Sequence, residues 1–481
     1  MTPHKASPQA ADWVDLVSAS AGAQPATWVA LEAGAVKVTG AKLARDMLSA
    51  SARLRLSAGP VAVCSPDPIV HAIGVLGGLA AGRPVVLIDA KHPVPTVVDV
   101  LQRAEATTIV GAELGAIEHV SGEELLGNEL LAPVRRPPTD HGTTFLTSGS
   151  TGSPKLVERS RGADLHGAMC LPLSGFPLGP GDRHWLSVPH SSAAWITLVM
   201  GALLVGATTV FAPFRPDLAD EFIRERHISS GYFVPTMLRL ARAATGLDGP
   251  GWLGLRALMT GGEKLDSGTQ DDLTRLFSTR LFMGYGMTEA PRVCQADPVD
   301  LRERPGTVGR PTPLREVRIA GSAEGVAAGT EGEILVRGPD LFRGYTGESP
   351  STTWHRTGDL GRLDPDGYLY VTGRASRVLN IGGNRVSLDE IEALLRRHPA
   401  VRQAAAVAID DPVWTHRVEA FLVLSGAADP GSVEAWLRER AAAYKIPRHF
   451  TVLDQLPVDA SGKVSLSLLA SVAARGLEPP A

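Results

Sequence analysis

The apolar positions of this chain fall into two kinds of run. Between residues 66 and 88, PDPIVHAIGVLGGLAAGRPVVLI breaks at Gly82 and resumes at Pro84. That pattern predicts a buried helix stopped by a glycine and followed by a short buried strand. AAWITLVMGALLVGATTVFAPF, from Ala193, repeats the layout, with Gly206 as the stop and Thr208-Thr209-Val210 as a β-branched strand. Strands that are apolar throughout belong to sheets covered on both faces, so the first three-quarters of the chain reads as one large α/β body. From residue 338 to 373 the pattern changes to short strands and turns. There Pro365-Asp366-Gly367 separates Gly361-Arg362-Leu363 from Tyr368-Leu369-Tyr370-Val371 as a hairpin. A domain boundary is expected just after it, near Arg374. Beyond it, Ser387-Leu388-Asp389-Glu390 has capping-box spacing ahead of Ile391, Leu394 and Leu395 on one helical face, and Pro399 closes that helix. Alternating runs at 401–409 and 417–424, then a helix near 433–443, complete a small α+β domain. The expected class is α/β, with a large N-terminal body of layered α/β subdomains (1–373), a small α+β C-terminal domain (374–481) and a disordered tail from Gly476.

Composition changes this picture little but excludes several function classes. A length of 481 residues exceeds one ordinary core and agrees with two units. The net charge of -4, with no Lys/Arg stripe interleaved with aromatics, argues against nucleic acid as a partner. Cys64, Cys170 and Cys294 lie far apart without a CxxC, which suggests neither a disulfide framework nor a zinc site and fits a reducing cytosol. The opening residues MTPHKASPQAADW have no apolar stretch of the kind a secretory signal needs. Residues 195–211 are apolar enough to be tested as a membrane span, but Gly201, Gly206 and the β-branched run favour a buried helix and strand.

Candidate chemistry collects in five segments. Thr147-Ser148-Gly149-Ser150-Thr151-Gly152-Ser153-Pro154-Lys155 offers backbone N–H groups, hydroxyls and one cation, a set suited to phosphate and equally to a surface turn. Pro154 stands where a Walker loop requires its second glycine. Gly284-Tyr285-Gly286-Met287-Thr288-Glu289 lacks the third glycine of a dinucleotide fingerprint. It sets a flat ring for a base beside a hydroxyl donor and a hard oxygen ligand for magnesium, unless Glu289 is simply solvated. Asp359, after Trp354-His355-Arg356-Thr357-Gly358, suits two ribose hydroxyls or the capping of its own turn. Gly373-Arg374 through Gly382-Gly383-Asn384-Arg385 brings cations and backbone freedom, as a plain linker also would. Lys463, on the turn of Pro457-Val458-Asp459-Ala460-Ser461-Gly462-Lys463, is a mobile ammonium able to reach a phosphate or to stay in water.

Taken in this order, the motifs resemble the adenylate-forming superfamily of acyl- and aryl-CoA synthetases, peptide-synthetase adenylation domains and firefly luciferase, over roughly residues 25–465. The resemblance implies that Thr147 to Lys155 form the phosphate loop, and that Gly261, Gly262, Glu263, Tyr285 and Gly286 form the adenine site. It implies that Thr288 contacts the α-phosphate, Glu289 binds magnesium, Asp359 and Arg374 hold the ribose, and Lys463 bridges substrate carboxylate and α-phosphate. The resemblance also implies a mobile small C-terminal domain that delivers Lys463 for adenylation and afterwards withdraws it to present Gly383, Arg385 and their neighbours to a thiol. Ser376 falls at the hinge position, where relatives carry Asp or Lys, and Ser465 stands where a basic residue is common.

The acid pocket is implied to include His190, Ser191, Ala193 and Gly284. Ala193 replaces the Asp that would pair with an α-ammonium, which disfavours amino acids. Arg159-Ser160-Arg161 and Gly382-Gly383 look closer to stand-alone aryl-acid enzymes than to fatty-acid enzymes. The implied activity is ATP- and Mg2+-dependent adenylation of an aryl or small acyl carboxylate, then transfer to CoA or to a carrier-protein phosphopantetheine. The alternatives are adenylation of an unusual acid such as nitrite with transfer to an amine, and a catalytically silent nucleotide-binding regulator.

Overall fold

The computed structural model describes residues 13–475 apart from 116, 128, 148–154, 246–251, 253, 264–266, 278–279, 322–325, 349–353, 382–383, 412–414, 427 and 459–463. The tail expected to be disordered therefore lies outside the described residues. The chain forms two compact units. The first gathers Met1–Gly262, Leu273–Val317 and Val336–His355, and the second Glu263–Asp272, Arg318–Leu335 and Arg356–Ala481.

Two large sheets build the first unit. Seven strands run in the order Gly344–Tyr345, Lys155–Ser160, His141–Thr147, Val85–Leu87, Val61–Val63, Thr108–Val110, Glu118–Val120. The pairs from His141–Thr147 onward are parallel and the first two are antiparallel. A nine-stranded sheet has a parallel core of Leu281–Met287, Ala257–Gly261, Ser230–Phe233, Arg183–Leu186, Thr208–Phe211 and Val29–Ala33, with antiparallel strands at both edges. Helices Gly40–Leu54, Pro68–Ala80, Arg161–Leu173 and Ala193–Leu204 contribute to one hydrophobic core with residues of both sheets.

Both helix, glycine, strand units are present, one for each sheet. Asp67 accepts hydrogen bonds from the Ile69 and Val70 amides to start Pro68–Ala80, and Pro68 occupies the first turn, where no amide partner is lost. Gly82, with φ +74°, ends it before the buried strand Val85–Leu87. Ser192 caps Ala193–Leu204 through the Trp195 amide, and Gly206, also at φ +74°, precedes Thr208–Phe211. Among the described residues no helix is long and apolar enough to cross a membrane.

In the second unit, Val401–Asp411 and Thr415–Leu424 pair antiparallel, and His449–Val452 adds in parallel. Period-two alternation sends Ala404, Ala406, Val418, Ala420 and Leu422 to a core with helices Leu388–Leu395 and Pro430–Arg438. Ala405, Val407, Phe421 and Val423 face the opposite way, toward Leu469 and Val472 of helix Leu466–Arg475. Ser387 caps its helix through the Glu390 amide, while the Glu390 carboxylate pairs with Lys445. The helix expected near 433–443 is instead Pro430–Arg438, followed by a separate turn at Ala443–Lys445. The start moves because Asp429-Pro430 is itself a helix opening, and Val433 and Leu437, four apart, supply its whole buried face. The hairpin at 361–371 is present, with Leu363 opposite Leu369 and Gly367 at φ +81°.

Candidate active site

Ligand sites in parallel α/β sheets form at the carboxyl ends of the strands, and several of the expected residues lie there. Thr147 ends strand His141–Thr147 directly opposite Lys155, the first residue of the next strand. The connecting residues Ser148, Gly149, Ser150, Thr151 and Gly152 lie outside the described residues. In the other sheet Gly261 ends its strand beside Gly284, so close that a Cβ on Gly261 would sit 2.4 Å from the Gly284 carbonyl oxygen. Gly262 follows at φ +82°, a conformation that favours glycine, and Glu263 comes next, in the second unit. Tyr285 and Gly286 continue the strand Leu281–Met287. Met287 pairs with Ala290, which leaves Thr288 and Glu289 as the two residues of a tight hairpin turn. A Cβ at Gly286 would lie 2.2 Å from the Pro291 carbonyl, so this main chain admits no larger residue.

Tyr345 joins these segments, and no sequence motif pointed to it. Its hydroxyl donates to Glu289 Oε1 at 2.9 Å, and the Lys155 ammonium lies 4.3 Å from its ring centroid. Burial first, and the Glu289 carboxylate second, push the phenol above its usual pKa, so it remains a donor. Among the described residues Lys155 is paired with no carboxylate, which suits a cation meant for phosphate. Magnesium needs only one or two protein carboxylates beside phosphate oxygens, so a lone Glu289 at a turn fits it, and no cluster of three acidic or metal-binding side chains occurs among the described residues.

His190 follows strand Arg183–Leu186 and precedes the cap of helix Ala193–Leu204. Its ring centroid lies 5.4 Å from His71, 5.9 Å from Trp195 and 6.2 Å from Phe211. Burial lowers its pKa, opposed by Asp89. Ser191 is half-buried and Ala193 is 5% exposed. The nearest atoms to a Cβ on Gly284 would be 4.0 Å away, so this glycine leaves open room. His71, on helix Pro68–Ala80, is the second site residue without a sequence signal, since its helix reads as a plain apolar run.

Burial, with a smaller push from His190, lowers the His71 pKa from 6.5 to about 3, and burial takes His184 from 6.5 to about 4. Both rings are therefore neutral in the fold where the unfolded chain already protonates them. Below pH 6.5 the unfolded state binds more protons, so stability falls as pH drops through the window between 6.5 and about 4. Each ring contributes about 1.4 kcal/mol per pH unit to that fall. His71→Phe should remove one share, so its urea midpoint should drop less than that of the unaltered chain between about pH 7 and about pH 5. Equal drops would exclude His71 as a source.

In the second unit Asp359 and Arg374 are opposite one another on paired strands, with Arg374 Nε donating to Asp359 Oδ1 at 3.0 Å. The Asp359 side chain is 7% exposed and that of Arg374 64%, so the carboxylate is fixed and the guanidinium can turn outward. Ser376 is exposed in the short turn Ala375–Arg377. Arg377, which carried no sequence signal, ties that turn to helix Leu388–Leu395 through Asp389 and Glu392. Arg385 pairs through its backbone with Asn380, while its side chain, Gly383 and Lys463 lie outside the described residues. The base of the Lys463 turn is described: Val458 bridges Val464, and the Ser465 amide donates to the Pro457 carbonyl at 2.8 Å.

Residues 17–346 match the family of AMP-binding enzymes, and residues 390–463 match the AMP-binding enzyme C-terminal domain. A feruloyl-CoA synthase from an Amycolatopsis species is 32% identical over 333 residues, 66% of this chain and 67% of that protein. Triostin synthetase I of Streptomyces triostinicus is 33% identical over 403 residues, 80% of this chain and 73% of that protein. The structure of o-succinylbenzoate CoA synthetase from Bacillus subtilis, in complex with its acyl-adenylate intermediate, superimposes with a TM-score of 0.83. It is 25% identical and covers 94% of this chain and 97% of that one. The paired sheets, the Thr288-Glu289 turn at their carboxyl edge and the matched length agree: this chain belongs to the AMP-binding enzyme family and is an AMP-forming acid ligase.

Proposed function

We propose that the enzyme activates an aryl or small acyl carboxylate and passes it to a thiol, either CoA or the phosphopantetheine of a carrier protein. The observation that carries this reading is the linkage of Lys155, Tyr345 and Glu289 beside the carboxyl edges of the sheets. In the first half-reaction a substrate carboxylate oxygen attacks the α-phosphorus of ATP, and the bond to pyrophosphate breaks. In the second, a thiol sulfur attacks the acyl carbon, its proton is lost and AMP leaves. Bound magnesium supplies charge neutralisation at the phosphates. Glu289 is the residue that would hold it, Thr288 and the loop from Thr147 to Lys155 would bind phosphate, and Gly261, Gly262, Glu263, Tyr285 and Gly286 would enclose adenine. Asp359 and Arg374 would take the ribose, and Lys463 would lie between the two reacting anions. The functional division is at Arg374, with Ser376 as the hinge and Gly383 and Arg385 serving the thiol step.

The rings of His71, His190, Trp195 and Phe211, with neutral Ala193 and the room at Gly284, support an aryl acid over an α-amino acid, whose ammonium would be buried without a partner. Two of the similar proteins are named for aromatic acyl groups and for CoA as the acceptor, which does not favour transfer to an amine or a silent regulator. Three free, buried cysteines support a cytoplasmic site of action. ATP–pyrophosphate exchange with a panel of acids tests the reading. Aryl acids should give the fastest exchange, and α-amino acids surpassing all of them would overturn the substrate class. Supplying CoA and a phosphopantetheinylated carrier separately then identifies the acceptor.

A further inference from the structure

We infer that Tyr345 is a positioning residue that holds Glu289 for magnesium and Lys155 for phosphate from a single ring. The inference rests on the proposed roles of those two residues and goes beyond them, since it names what sets their geometry before any nucleotide arrives.

Glu289 occupies a two-residue turn, outside any helix or strand of its own. The segment carrying Tyr345 holds it twice. The Phe342 amide donates to the Glu289 carbonyl at 2.8 Å, and the Tyr345 hydroxyl donates to Oε1 at 2.9 Å. The second contact occupies one carboxylate oxygen and leaves Oε2 for a cation. Tyr345 is itself anchored: its backbone pairs with Val157, the Thr346 amide donates to the Leu156 carbonyl at 3.0 Å, and its ring meets Phe342 edge-on at 5.1 Å. Lys155 opens the very strand on which Tyr345 is anchored, and its ammonium lies over the ring face at 4.3 Å. A cation on a long flexible stem is thereby held close to the phosphate-loop strand instead of roaming in water. The hydroxyl and the ring face thus do separable things, one for the metal ligand and one for the cation.

That separation makes the inference testable by binding alone. The probe is the non-hydrolysable analogue α,β-methylene ATP, titrated calorimetrically into the full chain with and without Mg2+. Tyr345→Phe keeps the ring and loses the hydroxyl. It should leave metal-free affinity within about twofold of wild type and reduce the Mg2+-induced gain about tenfold, the size of a lost hydrogen bond to a charged group. Tyr345→Leu should lose both, so that metal-free affinity also falls, by about threefold. Glu289→Gln is the control. If it abolishes the Mg2+ effect while Tyr345→Phe keeps the full effect, the Tyr345 assignment is overturned and the magnesium role of Glu289 stands. If Glu289→Gln retains the full Mg2+ effect, the magnesium role falls and the inference with it. Equal losses with and without Mg2+ in Tyr345→Phe would mark a purely structural residue and also overturn the assignment.

Discussion

Lys463→Ala should slow formation of the acyl adenylate by at least about 10²-fold, the scale of removing one preorganised charge-stabilising contact from a transition state. On the proposed mechanism its ammonium is needed only while the substrate carboxylate and the α-phosphate, two anions, are being joined. ATP binding should therefore survive, because on the proposed mechanism the nucleotide is held by the loop from Thr147 to Lys155, the Thr288-Glu289 turn and the Asp359–Arg374 pair, and not by Lys463. Chemically supplied acyl adenylate should be consumed at close to the wild-type rate, since the small domain would by then have withdrawn the lysine. The two half-reactions are measured separately, as pyrophosphate exchange and as thioester formation from the adenylate. Equal losses in both, in a folded variant, would remove the domain-rotation assignment. Undiminished exchange would remove Lys463 from the catalytic residues.

Asp164→Ala should have the largest effect on stability, about 3–5 kcal/mol, from breaking a buried ion pair by removing one partner. Arg159 and Asp164 have no exposed side-chain surface, and Nε lies 3.1 Å from Oδ1. Thr143 donates to the other carboxylate oxygen at 2.8 Å, and Arg159 Nη2 donates to the Ala163 carbonyl at 3.0 Å. Burial raises the Asp164 pKa and lowers that of Arg159, each opposed by attraction to the other, so desolvation is the larger effect on both groups. The pair therefore adds little net stability, yet removing Asp164 leaves the buried Arg159 without its partner and takes from the buried Arg161 a nearby opposite charge. Replacing both together, as Arg159→Met with Asp164→Leu, should recover part of the loss, since Arg161 still loses its attraction to Asp164. Urea unfolding of the two single variants and the double variant measures this, and a single variant within about 1 kcal/mol of wild type would refute it. The Arg159-Ser160-Arg161 run, which suggested a substrate class by resemblance, thus has both of its arginines buried in the interior.

Much of the fold was legible in the chain because its signals act over a few residues. The cap at Ser387, the positive-φ stops at Gly82 and Gly206 and the hairpin at Gly367 each follow from local backbone requirements. Fully apolar strands told of two covered faces, and both strands pair in parallel with their neighbours on either side. The order of five motifs, each weak alone, was enough to point to an AMP-forming ligase. The helix at Pro430–Arg438 was misplaced because its opening, Asp429-Pro430, precedes the apolar pattern by which it was read. What the sequence could not supply was the pairing of distant strands. Tyr345 meets Glu289 across 56 residues, and it does so because strand Gly344–Tyr345 docks on Lys155–Ser160, leaving no periodicity or cap in either segment. His71 lies in an apolar helix and became a neighbour of His190 only through packing between two sheets. Tertiary structure decided these contacts, because side chains set on different sheets and helices meet only once the layers have closed.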